Sequence, residues 1–194
     1  IKEIAEQAKI NTSEFQGTTL FKAKALWEIF KDKKIKIDKD DLEREELSEL
    51  DLEKTDWYGQ NVFYGTSEEK SFINFISSFI EELKQKYSDI ALLRNEKFFQ
   101  LFDFDEGRAF EPDFVMLLKE KNHKITIYQV FIEPKGEIYI KAEPWKGTFL
   151  DEIEKKSDTD LKFENKQFKL IGLPFYNEKM KKEFEEALEN KLLS

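Results

Sequence analysis

The sequence contains no cysteine and only one histidine among its 194 residues. The lack of cysteine excludes disulfide bonds and Cys-ligated zinc or iron–sulfur sites. It also suits a protein of a reducing compartment, and we expect a cytoplasmic one. No apolar run approaches the roughly 20 residues of a membrane-spanning helix, so we expect no membrane partner. A G-x-x-x-x-G-K-[ST] phosphate loop is absent as well, so we expect no ATP site on this chain.

Basic character is also scarce, because the chain carries 32 Lys and Arg against 41 Asp and Glu, a net charge of -9. Proteins that hold DNA by themselves usually show a basic footprint, since phosphate contacts dominate affinity. Either the chain does not bind DNA, or some carboxylates form a metal site and the affinity for DNA comes from elsewhere. The chain begins at Ile1 without an initiator methionine, and we expect it to be a fragment of a longer protein.

Hydrophobic residues make up 40% of the sequence and include 19 phenylalanines, enough to fill a sizeable core. The order of these residues differs between two parts of the chain. Residues 1–60 alternate between short apolar, basic and acidic stretches, which predicts an N-terminal extension or a linker to a missing domain. Residues 61–194 show regular helical and strand periodicities, which predict one folded domain.

The regular part predicts a helix, three strands, a helix, a strand and a closing helix. A meander of three strands, with a helix leading to the fourth, indicates an α/β fold with a central mixed four-stranded sheet flanked by helices. The predicted helices are Ser67–Lys86, Trp145–Lys155 and Asn177–Leu193, and the predicted strands are Phe98–Phe104, Phe114–Leu118, Ile125–Ile132 and Phe168–Leu173.

Two short motifs lie at ends of neighbouring predicted strands. Pro112-Asp113 precedes the second strand, and Glu133-Pro134-Lys135 ends the third. A strand, a loop and a strand separate the two carboxylates, so both can reach the same end of the sheet. Glu133 and Lys135 are two residues apart and therefore point to the same side of an extended chain.

Two carboxylates and an ammonium group suit the metal-dependent hydrolysis of phosphodiesters. Mg²⁺ prefers carboxylate oxygens and often binds through one or two of them, keeping several waters. The ion lowers the pKa of a bound water, and a nearby lysine can orient that water or offset negative charge. A structural alternative stays open, in which Pro112-Asp113 is a strand-entry turn and Pro134 only ends a strand, because proline cannot donate to a sheet ladder.

Beyond these motifs, several blocks of the chain resemble restriction subunits of type III systems, within the PD-(D/E)XK nuclease superfamily. The resemblance runs from about Trp57 to Asn177. The similar blocks occur in order at Trp57–Asn61, Tyr64–Lys70, Arg108–Phe114, Tyr128–Gly136, Pro144–Lys146 with Phe149 and Leu150, and Ile171–Phe175.

This resemblance implies a restriction-endonuclease-like αβββαβ core and a DNA endonuclease activity. It implies that Asp113 and Glu133 bind the metal, that Lys135 is catalytic, and that the cofactor is Mg²⁺, with Mn²⁺ as a substitute. A glutamate of the first helix often adds a ligand in such enzymes. Glu69 is the candidate, although Thr66-x-x-Glu69 equally fits a capping box.

Three further residues are candidate DNA contacts. Lys146 and Arg108 could contact phosphates, with a solvated surface position as the alternative for each. Gln129 alternates onto the Glu133 side of its strand, and a hydrogen-bonded core amide is the alternative there.

The resemblance also implies partners, namely double-stranded DNA, a helicase-like motor region of the same parent chain, and a methyltransferase subunit that reads the recognition site. We expect weak or absent DNA binding by this chain alone. Two other functions stay open. One is a non-catalytic interaction module with the same fold, and the other is a repair or structure-selective nuclease of the same superfamily.

Overall fold

The computed structural model describes residues 48–121, 126–156, 161–163 and 166–194. Most of the predicted N-terminal extension, residues 1–47, and most of the predicted loop before the third strand therefore lie outside the described residues. In the described ranges, no helix is long and apolar enough to cross a membrane.

The described elements follow the predicted order, with additional short strands. The helices are α1 (Ser67–Lys86), α2 (Glu137–Ala142), α3 (Pro144–Lys156) and α4 (Lys181–Leu188). The strands are β1 (Ser48–Asp51), β2 (Val62–Gly65), β3 (Tyr87–Arg94), β4 (Leu101–Phe102), β5 (Ala109–Phe110), β6 (Phe114–Glu120), β7 (Thr126–Ile132), β8 (Leu161–Phe163) and β9 (Lys166–Gly172).

A mixed sheet forms the centre of the domain, in the order β3-β6-β7-β9-β8. The β3–β6 and β6–β7 pairs are antiparallel, and β9 joins β7 in parallel after the crossover through α3. The predicted α/β class, the mixed sheet and the flanking helices are confirmed. A fifth strand, β8, pairs antiparallel with β9 at one edge, beyond the four that were predicted.

Helix α1 forms where the apolar periodicity predicts it. Its buried side chains lie on one face, and Thr66 caps its N-terminus by accepting a hydrogen bond from the backbone of Glu69. The apolar face packs on one side of the sheet together with α4. The predicted closing helix is also present, as three consecutive helical segments. A 3₁₀ turn at Glu178–Met180 precedes α4, and a π-helical turn at Glu189–Leu193 follows it.

The other side of the sheet is covered by α3. Phe149, Leu150 and Ile153 of this helix are buried against Val115, Phe131 and Leu170 of the strands, together with further aromatic side chains. The approach is close at Gly172, where an added Cβ would lie 2.0 Å from the carbonyl oxygen of Leu150. The helix backbone can therefore approach β9 only because this position has no side chain.

The predicted strand over Phe98–Phe104 is wrong. The first strand of the sheet is β3, which follows α1 directly, and only Leu101 and Phe102 of the aromatic run form a strand, paired with β5. Asn95 ends the sheet strand, since its side-chain oxygen accepts hydrogen bonds from the backbone of Phe98 and Phe99. The aromatic run instead contributes Phe99, Leu101 and Phe104 to the core on the α3 side.

The folded unit begins before the predicted boundary at residue 60. Strand β1 pairs with β2, and Leu52, Trp57 and Tyr58 are buried in the core beside α1. The few apolar side chains of residues 48–60 are thus packed on the core, and the division into an extension and a nuclease domain stays a prediction. Because the sequence before residue 48 is rich in charged residues, the periodicity of these apolar side chains is not apparent from the sequence.

A tight loop between β4 and β5 depends on the buried carboxylate of Asp103. Its Oδ1 accepts hydrogen bonds from the backbone of Glu106 and Gly107 at 2.7 and 2.6 Å, and its Oδ2 accepts one from Arg108 Nε at 2.5 Å. Gly107 adopts a φ of 66°, which favours glycine. Burial alone would raise the pKa of Asp103, but the Arg108 guanidinium and the backbone donors lower it below its usual value.

We expect Asp103→Ala to lower the free energy of unfolding by about 2 kcal/mol, because several partly buried donors lose a charged acceptor. The contribution of Asp103 should be present above about pH 4, the pKa of the unfolded chain, and should be lost as the pH falls through the lower folded pKa. Urea titrations at several pH values measure both effects. Asp105→Ala in the same loop, at a mostly exposed side chain, is the control and should cost less than about 0.5 kcal/mol. Equal losses for both variants would contradict this role.

Candidate active site at the ends of β6 and β7

Asp113 and Glu133 face each other across two neighbouring strands. Asp113 directly precedes β6, and Glu133 directly follows β7, where Phe114 pairs with Ile132. The backbone N–H of Asp113 donates a hydrogen bond to Glu133 Oε2 at 3.1 Å. The sheet register therefore brings the two predicted carboxylates to the same end of the sheet.

Lys135 completes the predicted group of three. Its Nζ donates a hydrogen bond to Glu133 Oε1 at 2.7 Å. Glu133 is only 2% exposed, so this ion pair is largely shielded from water. Burial would lower the pKa of Lys135, but its pairing with Glu133 and Glu143 outweighs that effect and raises the pKa above the usual value, which keeps the ammonium charged.

The chain leaving β9 holds the segment from Glu133 to Lys135 in place. The backbone N–H of Tyr176 donates a hydrogen bond to the Glu133 carbonyl at 3.1 Å. The Tyr176 carbonyl accepts a hydrogen bond from the backbone N–H of Lys135 at 2.8 Å. The side chain of Asn177 donates to the Lys135 carbonyl at 2.7 Å. Pro134, between the two, has no N–H to leave unpaired, so the strand exit is fixed without a ladder bond at that residue.

The carboxyl group of Asp113 lies in an acidic environment. Burial and the neighbouring carboxylates of Glu133 and Glu69 raise its pKa to about 8, although Lys135 and Arg94 oppose this shift. Among the residues that the structure describes, none donates a hydrogen bond to this carboxyl group. A cation placed beside it would be favoured, because it would offset the crowding of negative charge.

Glu69 is engaged on both of its oxygens. Oε2 accepts hydrogen bonds from the backbone and the hydroxyl of Thr66, at 2.8 and 3.1 Å, which is the capping box of α1. Oε1 forms an ion pair with Arg94 Nη2 at 3.0 Å. The structural alternative for Glu69 is thus present. A role as a metal ligand stays a prediction.

The structure brings Lys146 into the site and adds Glu143, which the sequence did not single out. Lys146, in α3, lies 3.6 Å from Glu133 Oε1 and 3.0 Å from Glu143 Oε2. The same Glu143 oxygen lies 2.9 Å from Lys135 Nζ. Glu143 sits between α2 and α3, directly before the Pro144–Lys146 block, and no motif or periodicity marked it.

In the described ranges, neither of the two other candidate DNA contacts pairs with Asp113 or Glu133. Arg108 pairs with Asp103 and lies over the ring of Trp145, with 4.5 Å between the guanidinium carbon and the ring centroid. Gln129 lies within β7, opposite Leu117 and Leu170, four residues from Glu133. That separation is roughly 13 Å along a strand, so Gln129 does not reach the carboxylates.

Comparison with known proteins places the chain in a family. Residues 14–192 match the family described as "HI_1054_C: C-terminal domain", so the match covers most of the chain. The chain belongs to the HI_1054_C family. Its relatives include an uncharacterized protein of Haemophilus influenzae (strain ATCC 51907 / DSM 11121 / KW20 / Rd), which is 42% identical over 184 residues.

The alignment with that relative covers 89% of this HI_1054_C chain and 39% of the relative. The chain therefore spans about two fifths of the length of the curated relative it matches. The name of the relative states no activity. No solved structure matches the chain.

The donor set of this HI_1054_C domain fits a hard divalent cation through two carboxylates. In the described ranges, no three Asp, Glu, His or Cys side chains are grouped closely enough to hold an ion together. Mg²⁺ does not require three, since it is often bound through one or two carboxylates and water. Two groups could bind such an ion: the Asp113 carboxyl group, to which no described residue donates a hydrogen bond, and Glu133 Oε2, which accepts the backbone N–H of Asp113.

Proposed function

We propose that this domain is an endonuclease that hydrolyses DNA phosphodiester bonds with Mg²⁺, or with Mn²⁺ as a substitute. The observation that carries the proposal is that Asp113, Glu133 and Lys135 lie together at one end of the central sheet. These are the residue types that the resemblance to PD-(D/E)XK nucleases assigns to the active site. They lie far apart in the sequence, and the strand register joins them.

Asp113 and Glu133 would hold the ion. When bound, Mg²⁺ lowers the pKa of a coordinated water and neutralises charge on the phosphate. Lys135 keeps its ammonium group charged beside Glu133, where it can orient the attacking water or offset charge that develops on the phosphate. The backbone hydrogen bonds of Tyr176 and the side-chain hydrogen bond of Asn177 hold Glu133 and Lys135 in a fixed geometry, which such catalysis requires.

The order of elements supports a restriction-endonuclease-like core within this proposal. Helix α1, strands β3, β6 and β7, helix α3 and strand β9 follow one another as αβββαβ, with an antiparallel meander and a parallel fourth strand. In this proposal the first strand of the core is β3, and not the strand predicted over Phe98–Phe104.

A type III restriction system is the setting that the resemblance suggests. The chain corresponds to only 39% of its relative, so a longer parent protein has room for a motor region. The parent would supply the motor, a methyltransferase subunit would read the recognition site, and both would deliver double-stranded DNA in the cytoplasm. The net charge of -9 accords with a domain that depends on other parts for affinity.

A second candidate function is an interaction module without catalysis. The observation that favours it is the exposure of two apolar side chains on α2, Ile138 at 81% and Tyr139 at 62%. Exposed apolar groups of this kind are found at partner-binding surfaces. Calorimetric titration with Mn²⁺ separates the candidates, because a docking module should give no signal that depends on Asp113 and Glu133.

Nicking of a supercoiled plasmid tests the proposed function. We expect Mg²⁺-dependent conversion to open circles by the parent protein with its motor and methyltransferase partners, and no conversion in EDTA. A branched or flap substrate, cut without a motor, would instead indicate the repair-type nuclease of the same superfamily. An assembled system that restricts no DNA and cuts neither substrate would contradict the proposal.

A further inference from the structure

Lys135 and Lys146 lie on different elements but share one carboxylate. Lys135 follows β7 and Lys146 belongs to α3, and Glu143 Oε2 lies 2.9 Å from the first Nζ and 3.0 Å from the second. Both lysine side chains are mostly buried, at 14% and 16% exposure. Two ammonium groups thus converge on a single oxygen atom at the rim of the candidate active site.

The two carboxylates that contact these lysines differ in accessibility. Glu133 lies on the inner side and is 2% exposed, whereas the Glu143 side chain is 36% exposed. Glu143 ends the short helix α2 and precedes α3, so it lies on a connection rather than within a packed strand. Of the two carboxylates, Glu143 is the one that another anion could replace from solvent.

We propose that Lys135 and Lys146 form a binding site for one phosphate group of a nucleic-acid backbone, and that Glu143 occupies this site in the free protein. The choice of a phosphodiester as the ligand rests on the proposed function. A phosphodiester carries one negative charge, as Glu143 does, and its oxygens also accept charge-assisted hydrogen bonds from lysine. Binding then exchanges one anion for another, so the lysines remain neutralised in both states.

The same arrangement explains why Lys146 has a place beside the catalytic group. Its Nζ lies 3.6 Å from Glu133 Oε1, so it contacts the inner carboxylate as well as the outer one. A phosphate held between Lys135 and Lys146 would lie directly against Glu133. Lys146 is therefore a positioning residue for the substrate phosphate, and Glu143 is its internal competitor.

Removal of the competitor should strengthen anion binding. We expect Glu143→Gln to lower the dissociation constant for a labelled duplex oligonucleotide about fivefold at low salt, since two charges near 4 Å apart interact at about this level even in water. The slope of log K against log salt should stay within about 0.9 of the wild-type slope, the value for one phosphate contact, because both proteins form the same phosphate contact. Fluorescence anisotropy in EDTA measures both quantities without any cleavage.

Glu137→Gln is the matched control, because it removes the same charge from a nearby ion pair with Lys179 that lies outside the lysine site. Glu143→Asp keeps the charge on a shorter side chain and should give a smaller gain than Glu143→Gln. The gain should disappear in Glu143→Gln/Lys146→Gln. Circular dichroism and thermal melts verify that each variant is folded.

Equal changes for Glu143→Gln and Glu137→Gln would overturn the inference, as would a gain that survives the loss of Lys146. These outcomes are separate from the test of the nuclease proposal. A wild-type system that nicks DNA, combined with equal binding by the two variants, removes only the phosphate site. Tighter binding by Glu143→Gln without nicking by any assembled system removes only the nuclease activity.

Discussion

Glu133→Gln is expected to lower the rate of Mg²⁺-dependent DNA cleavage on the order of 10³-fold. The substitution keeps the shape of the side chain but removes the charge that would hold the ion and pair with Lys135 at 2.7 Å. Single groups that stabilise charge in a transition state commonly contribute 10² to 10³ in rate, and here one residue serves the metal and the lysine together. Single-turnover cleavage by the assembled system measures the loss.

The matched control for this variant is Glu137→Gln, which removes a carboxylate from an exposed ion pair four residues further along the chain. It should cleave DNA at the wild-type rate. Thermal melts are required for both proteins, because Glu133 is buried and its neighbours Lys135 and Lys146 lose a partner. A folded Glu133→Gln protein that cleaves at the wild-type rate would remove the catalytic assignment.

Local sequence patterns predicted the elements that position this site. Helix α1 and strands β6, β7 and β9 each have a clear periodicity or an unbroken apolar run. The pairing of Asp113 with Glu133 followed from two strands joined by a short loop, where the ends of both strands must meet. Neither inference needed information about distant parts of the chain.

The first strand of the sheet could not be predicted in the same way. Residues 87–94 (YSDIALLR) continue directly from α1 and contain polar residues at Ser88 and Asp89, so they lack a clean alternation. The neighbouring aromatic run is the stronger local signal for a strand. Tertiary packing decides otherwise, because Phe99, Leu101 and Phe104 of this run pack between the sheet and α3.

The surroundings of Asp113, Glu133 and Lys135 depend on contacts between distant elements. Glu143 reaches the site only because α3 packs across the sheet and brings Lys146 towards Glu133. Arg94 meets Glu69 because β3 runs beside the N-terminus of α1. A sequence pattern indicates which residues share a face, but it does not indicate which faces approach one another.

Asp113→Asn is expected to change how the stability of the metal-free protein depends on pH. The folded pKa of Asp113 is about 8, well above the value of about 4 for an unfolded aspartate. The wild-type protein should be most stable, with respect to this group, below about pH 4 and should lose stability as the pH rises through 8. At pH 8.5 the free energy of unfolding of Asp113→Asn should exceed that of the wild type by about 2 kcal/mol. One pKa unit corresponds to about 1.4 kcal/mol, and the partial exposure of Asp113 reduces the effect.

Urea titrations in EDTA between pH 5 and 9, compared for the two proteins, test this expectation. Asp89→Asn serves as the control, because Asp89 is exposed and pairs with Lys119 at the other end of β3, so its variant should follow the wild-type curve above pH 5. Added Mn²⁺ should restore wild-type stability at high pH, because a bound cation would offset the charge of Asp113, and it should not stabilise Asp113→Asn to the same extent. Parallel pH curves for wild type and Asp113→Asn, with or without Mn²⁺, would show that Asp113 is not crowded by negative charge, and the two-carboxylate metal site would lose its electrostatic basis.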